Sequence, residues 1–188
     1  NMILPDFSIM QEGVKTNPSK MANHFRTGIS SGWFNLDPRA FEEDHIDKKM
    51  TAIFSSKGCV AKCTFCQRAT QGYRTFKAET LEERVIELKE KYDVVTLSVD
   101  DENFGSDKVK SYECAKVFKK HGIYWYAEGA RASTVTYDSL KFYKENNMMS
   151  IRFGIETGSK KILELMEKKT TKTKVYDAIA NCKKLNIN

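Results

Sequence analysis

Proline is scarce in this chain of 188 residues, and all three prolines (Pro5, Pro18, Pro38) fall within the first 49 positions. Long apolar runs are missing: none approaches the roughly 20 residues of a membrane-spanning helix. The first residues, Asn1 to Asp6, hold no basic segment ahead of an apolar one. That is not a secretory signal pattern, and the expected compartment is the cytoplasm, where thiols stay reduced. No Arg-rich stripe with interleaved aromatics occurs. The net charge of +6 and pI of 9.0 are therefore read as a lysine-rich solvated surface rather than a nucleic-acid interface. Histidine is limited to His24, His45 and His121, none of which is given a role. The first residue is Asn1 rather than methionine, and the sequence is read as a piece of a longer protein.

What the sequence does hold is the balance of a globular chain, 40% apolar and 30% charged, with length enough for one domain and a core. Residues 1–49 show no long amphipathic period and read as a connecting segment, with Glu42-Glu43-Asp44 as a solvated turn. From residue 50 a unit repeats: a short β-prone run, a loop, an amphipathic helix. The runs are Thr51–Phe54, Val94–Val99, Ile123–Ala127 and Ser150–Ile155. Thr80-Leu81-Glu82-Glu83 reads as a capping box opening a helix whose Leu81, Val85 and Leu88 share a face. The next helix puts Cys114, Val117 and Phe118 on one stripe and stops near Gly122. Further helices are expected over Thr136–Asn146, Ser159–Glu167 and Thr171–Leu185. In the last, Cys182 follows Val175, Ala178 and Ile179 at helical spacing.

Strand–helix alternation predicts parallel strands joined by right-handed crossovers, hence an α/β sheet or barrel. Four strands cannot close an eight-stranded barrel, which takes about 250 residues. The expectation is a partial barrel over residues 50–188, preceded by an extension over 1–49. A fifth strand is expected to start at Leu185–Asn188.

Cys59, Cys63 and Cys66 follow the first run with C-x3-C-x2-C spacing. Thiolates on one short loop suit an iron–sulfur cluster or zinc. A cubane has four irons, so three cysteines leave one iron open to a ligand. Structural zinc wants four ligands, and the alternative is a zinc knuckle that recruits His24, His45 or His121; a disulfide pair is a second alternative. Cys114 and Cys182 lack ligand spacing and read as buried structural thiols.

The segment Ser55-Ser56-Lys57-Gly58-Cys59-Val60-Ala61-Lys62-Cys63-Thr64-Phe65-Cys66, with Phe65 just ahead of the last cysteine, resembles the signature of the radical S-adenosylmethionine (radical SAM) enzymes. It is similar to the form common in the subgroup that often carries an upstream cobalamin-binding domain. Gly154-Ile155-Glu156-Thr157-Gly158-Ser159, followed by Leu163, Met166, Lys168 and Thr170, resembles the same subgroup. The resemblance covers about residues 50–188. It implies a partial TIM-like barrel and a [4Fe–4S] cluster on the three cysteines. It also implies S-adenosylmethionine bound at the open iron and cleaved reductively to a 5′-deoxyadenosyl radical. Cobalamin held by a preceding domain, an electron donor such as flavodoxin or ferredoxin, and methylation or rearrangement of an unidentified substrate follow from the same likeness. Leu4-Pro5-Asp6-Phe7 and its surroundings resemble the linker between such a domain and the barrel.

In parallel α/β folds ligands gather at the carboxyl ends of the strands. Asp100-Asp101-Glu102-Asn103-Phe104 follows the second run, Glu128-Gly129-Ala130-Arg131 the third and Glu156-Thr157-Gly158 the fourth. Arg131 suits the cofactor's carboxylate, because a guanidinium binds carboxylates in bidentate fashion. Glu156 suits ribose hydroxyls or the amino group, and Asp101 the methionyl ammonium; Phe65 joins them by resemblance. Many radical SAM enzymes have Gly-Gly-Glu where this chain has Asp-Asp-Glu. Two other function classes remain: a transfer-RNA-modifying radical SAM enzyme and a zinc-stabilised nucleic-acid-binding module. Anaerobic reconstitution is expected to give a brown protein with about four irons and four sulfides per chain; zinc without acid-labile sulfide counts against it. Retention of purified transfer RNA at low salt, lost steeply as salt is added, would mark the nucleic-acid readings.

Overall fold

The computed structural model describes residues 26–27, 49–67 and 72–188. The acidic turn at Glu42–Asp44, the three prolines, His24 and His45 lie outside the described residues. Among the described residues seven strands and five helices follow one another. They are β1 (Arg26–Thr27), β2 (Lys49–Ile53), β3 (Ser56–Gly58), β4 (Tyr73–Thr75), α1 (Ala78–Tyr92), β5 (Val94–Val99), α2 (Lys108–Lys120), β6 (Tyr124–Ala130), α3 (Tyr137–Glu145), β7 (Met148–Phe153), α4 (Lys160–Leu165) and α5 (Lys172–Lys184).

The main sheet runs β1-β2-β5-β6-β7. Strands β2, β5, β6 and β7 are mutually parallel, and β1 pairs antiparallel with β2. Each parallel strand is therefore the neighbour of the one before it. Among the described strands no switch in the order of the parallel strands occurs, so the crossover helices share one side, as in a barrel wall. The expected partial barrel of four parallel strands is what forms. Strands β3 and β4 make a separate antiparallel hairpin just before the cysteines.

The core lies between sheet and helices. Leu81, Val85 and Leu88 of α1 and Cys114, Val117 and Phe118 of α2 are buried there, as their spacing predicts, against Leu97, Val99, Trp125 and Ile151. Each such apolar side chain contributes about 1.5–3 kcal/mol by leaving water. Trp125 is the centre: its ring lies 5.5 Å from those of Phe104 and Phe118 and 5.8 Å from that of Tyr143. Its Nε1 donates to Asn146 O at 2.7 Å, which satisfies the one polar atom of a fully buried indole. Burial pushes the Tyr143 hydroxyl up to about 12, and it shares a hydrogen bond of 2.8 Å with Ser111 Oγ. Tyr126 points to the opposite face of the sheet, where it packs with Met50, Met149 and Tyr124. The aromatic alternation on the third run thus separates helix side from concave side.

Three later helices start where expected, each from a capping residue, and one expectation is corrected. Thr136, Ser159 and Thr171 each accept at the side chain from the backbone N–H three residues on. Thr80 does not cap α1. The helix begins at Ala78, with Lys77 at the cap position and no side-chain cap bond. Phe76 and Leu81, which flank that cap at the positions of a hydrophobic staple, are both buried, and they fix the chain's entry earlier than the Thr-x-x-Glu pattern suggests. In α5, Ala178 and Cys182 are buried but Ile179 is 45% exposed. After α5 the chain returns beside β7, with Ile151 N donating to Asn188 O at 2.8 Å. Among the described residues no helix is long and apolar enough to cross a membrane.

Gly129 interrupts β6, where the register with β7 shifts between Ala127 and Ala130. Its φ is +67, and a Cβ there would stand 2.1 Å from Asp101 O. The glycine lets the β6 end lie directly on the loop after β5. Gly129→Ala is expected to destabilise the chain by at least about 2 kcal/mol, from left-handed strain plus the clash. Gly72→Ala, which meets the strain (φ +77) but no neighbour within 4 Å, should cost about 1 kcal/mol. Urea unfolding midpoints of the two variants check the difference.

Candidate active site

A cavity of about 440 Å³ opens at the carboxyl ends of the parallel strands. Cys59, Cys63, Cys66 and Phe65 form one wall. Glu102 comes from the loop after β5, Gly129, Ala130 and Arg131 from the end of β6, and Gly154 and Glu156 from the end of β7. Lys168 comes from the turn after α4. All three sequence-identified cysteines, Phe65, Arg131 and Glu156 are thus brought together.

Asp101 is not part of that lining. It is 3% exposed and accepts four hydrogen bonds. Ser55 N donates at 2.8 Å, Ser55 Oγ at 2.5 Å, Ser56 N at 3.0 Å and Ser56 Oγ at 2.7 Å. Burial is the largest influence on its carboxyl and pushes it up; the bonds from the two serines work the other way. A carboxylate so occupied has little left for a ligand's ammonium. Its neighbour Glu102 faces the cavity instead and accepts from Gly58 N at 3.2 Å. The pair divides the work: Asp101 ties the loop after β2 to the end of β5, and Glu102 presents an acid beside the first cysteine.

The cysteine loop is held from a second direction. Thr64 N donates to Met166 O at 3.0 Å, and Thr64 Oγ1 to Leu165 O at 3.2 Å. Cys63, buried to 8% exposure, points its thiol at Glu167 O, 3.9 Å away. Arg131 donates to Lys168 O and, at 3.8 Å, to Cys63 Sγ. The turn that supplies these carbonyls is tightly wound, with Glu167 (φ +51) and Lys169 (φ +54) in left-handed conformation. Cys59 is half-buried and Cys66 exposed.

Lys168 is the residue that sequence reasoning passed over as a site member, although it stands in the Leu-x-x-Met-x-Lys-x-Thr segment. Its side chain is 10% exposed and its Nζ donates to Glu156 Oε1 at 2.7 Å. The same Nζ lies 5.5 Å from the centre of the Phe65 ring, a cation–π distance. Glu156 itself has φ +64, a strained value for a non-glycine. A Cβ on Gly154 would stand 2.8 Å from Glu156 Oε1 and 3.2 Å from Lys168 Nζ, so glycine leaves room for this ion pair. The cavity therefore carries two acids and two bases.

Among the described residues, no three His, Cys, Asp or Glu side chains stand close enough to hold a single metal ion. That geometry belongs to ligands around a point. A cubane offers a separate iron to each cysteine, and its ligands stand around a body. His121, the histidine within the described residues, sits at the end of α2 with Nε2 2.6 Å from Glu82 Oε1, away from the cysteines' cavity. Cys114 and Cys182 are buried, and burial pushes their thiols up, Cys182 to about 11. They are the inert thiols their spacing suggests.

Comparison with known proteins adds the following. The model of the Radical SAM superfamily matches residues 53–188. An uncharacterised methyltransferase of Pyrococcus horikoshii is 29% identical over 141 residues, which is 72% of this chain and 30% of that protein. Cytidylyl-2-hydroxyethylphosphonate methyltransferase of Streptomyces wedmorensis is 24% identical over 128 residues, 66% of this chain and 24% of that protein. The chain thus spans less than a third of the length of either relative. Among solved structures, the apo form of the cobalamin-dependent S-adenosylmethionine radical enzyme OxsB aligns with TM-score 0.61 and 21% identity, covering 77% of this chain and 24% of its own. Methylornithine synthase (PylB) aligns with TM-score 0.57 and 15% identity, covering 72% and 41%. These two likenesses are of fold.

Asp101→Ala strands two backbone N–H groups and two hydroxyls and is expected to cost about 3 kcal/mol or more. Thr64→Val removes one hydroxyl bond at the surface and should cost about 1 kcal/mol. Denaturant titration reads both, and amide hydrogen exchange at Ser55 and Ser56 should quicken in the first variant alone.

Proposed function

The chain belongs to the radical SAM superfamily, and on that premise we propose that Cys59, Cys63 and Cys66 hold a [4Fe–4S] cluster and that the adjoining cavity binds S-adenosylmethionine. The observation that carries this reading is the shared cavity: three thiols on one wall, with Arg131, Lys168, Glu102 and Glu156 facing it. A ligand with its own carboxylate, ammonium and sulfonium finds opposite charges for each in such a place. What the cluster and cofactor supply when bound is reductive cleavage of a carbon–sulfur bond, followed by hydrogen abstraction from substrate. The protein's part is binding, orientation and the exclusion of water.

Arg131 takes the carboxylate in this reading. Glu156 accepts from the ribose hydroxyls or the amino group. Glu102, rather than Asp101, is the acid available to the ammonium. Phe65 gives the cavity its apolar edge, and Asp101 acts by positioning the loop. In this reading the reaction is a methyl transfer, which the two methyltransferase relatives support, assisted by cobalamin; a cobalamin domain ahead of residue 1, joined through residues 1–49 to the barrel of 50–188, is part of the same proposal. A small electron-transfer protein of the flavodoxin or ferredoxin kind supplies the electron.

Cys63→Ala is expected to abolish iron retention after anaerobic reconstitution. Arg131→Met and Glu156→Gln should keep their iron and bind S-adenosylmethionine about ten-fold or more weakly, the loss of one charge-assisted hydrogen bond. Equilibrium dialysis with iron analysis on the same samples checks both halves. Unchanged affinity in both variants would overturn the assignment of the cavity.

A further inference from the structure

The cavity presents two bases, and their charges are used differently. The Lys168 ammonium is met by the Glu156 carboxylate at 2.7 Å. Among the described residues no carboxylate pairs with the Arg131 guanidinium. Its Nη1 donates to Cys63 Sγ at 3.8 Å and its Nη2 to Lys168 O. The positive charge of Arg131 therefore stands unneutralised beside a sulfur.

The three thiols do not share this contact. Cys59 Sγ accepts from Ala61 N at 3.4 Å, a neutral donor. Cys66 is exposed to water. Cys63 is the most buried of the three, and burial lets a neighbouring charge act more strongly. Cys63 also points its thiol at Glu167 O, 3.9 Å away. A ligating cysteine gives up its proton. The bond to Glu167 O then has no donor, and Arg131 is the donor left to the sulfur. A charged donor on an anionic acceptor makes a stronger bond than a neutral pair does.

The side chain is held from both ends. Arg131 follows directly on β6, and its O accepts from Thr134 N at 3.0 Å and from Thr134 Oγ1 at 2.9 Å. The bond from Nη2 to Lys168 O ties the guanidinium to the turn after α4. Swinging into water would cost Arg131 both of its bonds.

We propose that Arg131 sets the reduction potential of the cluster by holding its charge against Cys63. Reduction adds one electron, from the electron-transfer protein, and no proton, so the net charge of the site falls by one. A fixed cation at a ligand sulfur favours the more negative state and raises the potential. The donors of the guanidinium that these two bonds do not use remain for a carboxylate in the cavity. This role presupposes the cluster on the three cysteines.

The test is a redox titration of the reconstituted full chain, followed by electron paramagnetic resonance, with mediators and without S-adenosylmethionine, so that no ligand carboxylate competes for the guanidinium. Arg131→Gln keeps an N–H donor and removes the charge. It is expected to hold about ten-fold less reduced cluster than the wild type at a fixed potential, a fall in midpoint of about 59 mV for one electron. Arg131→Lys, which keeps the charge, should recover most of the difference. Thr64→Val loosens the same loop without touching a charge and should leave the midpoint where it is. Arg131→Met, uncharged and of similar length, takes the place of the glutamine variant if that one holds no iron. An unchanged midpoint in the uncharged variant overturns the proposal. So does an equal fall in Thr64→Val or Arg131→Lys, which would trace the shift to loop geometry rather than charge. Iron and sulfide analysis of the same samples separates the two readings. Wild-type protein without acid-labile sulfide overturns the cluster itself, whereas full loading with equal midpoints overturns the role of Arg131 alone.

Discussion

Asp101 accepts from the backbone and the hydroxyl of both Ser55 and Ser56, and the cavity takes its shape from that knot. The serines begin the segment that leads to Cys59. Asp101 stands just past the end of the neighbouring strand. Four donors on one carboxylate fix the direction in which the cysteine loop leaves the sheet. Gly129 then packs onto the Asp101 carbonyl so closely that no side chain fits between, which brings the third strand's end to the same point. Three strand ends are registered by one buried acid and one missing Cβ.

The fourth strand reaches the loop by another route. The turn after α4 offers the carbonyls of Leu165, Met166, Glu167 and Lys168 to Thr64, Cys63 and Arg131. A helix end has carbonyls without intrahelical partners, and here those groups serve the cysteine loop. Such outer contacts orient ligands and commonly matter to metal affinity nearly as much as the ligands themselves. Lys168 adds a side-chain link on the cavity side, between Phe65 and Glu156.

Much of this was legible in the residues. The run Val94–Val99 coincides with β5, and Thr136, Ser159 and Thr171 cap the helices they precede, because these signals are local. What escaped was set by distant partners. Nothing near Asp101 says that four donors some 45 positions upstream will claim it and leave Glu102 to the cavity. The Thr80 box is a real local pattern that yielded to the burial of Phe76 and Leu81. Lys168 reaches the cavity through two left-handed residues, Glu167 and Lys169, and neither is the glycine or asparagine that would mark such a turn in a sequence. The cysteine spacing and the strand-end acids and bases needed no such knowledge, and they carried the reading of the site.

The contact between Cys63 and Glu167 spans 104 positions, and this separation bears on the order of assembly. Contacts of such long range form late, because the intervening chain must first be closed. Until the last strand–helix unit docks, the thiol of Cys63 lacks the cover that buries it in the native chain. A newly made chain therefore passes through a stage in which all three thiols of the loop are open to solvent and to oxidants. Docking of the final unit ends that stage, so the time for which the Cys63 thiol stays uncovered is set by folding rather than by its own chemistry.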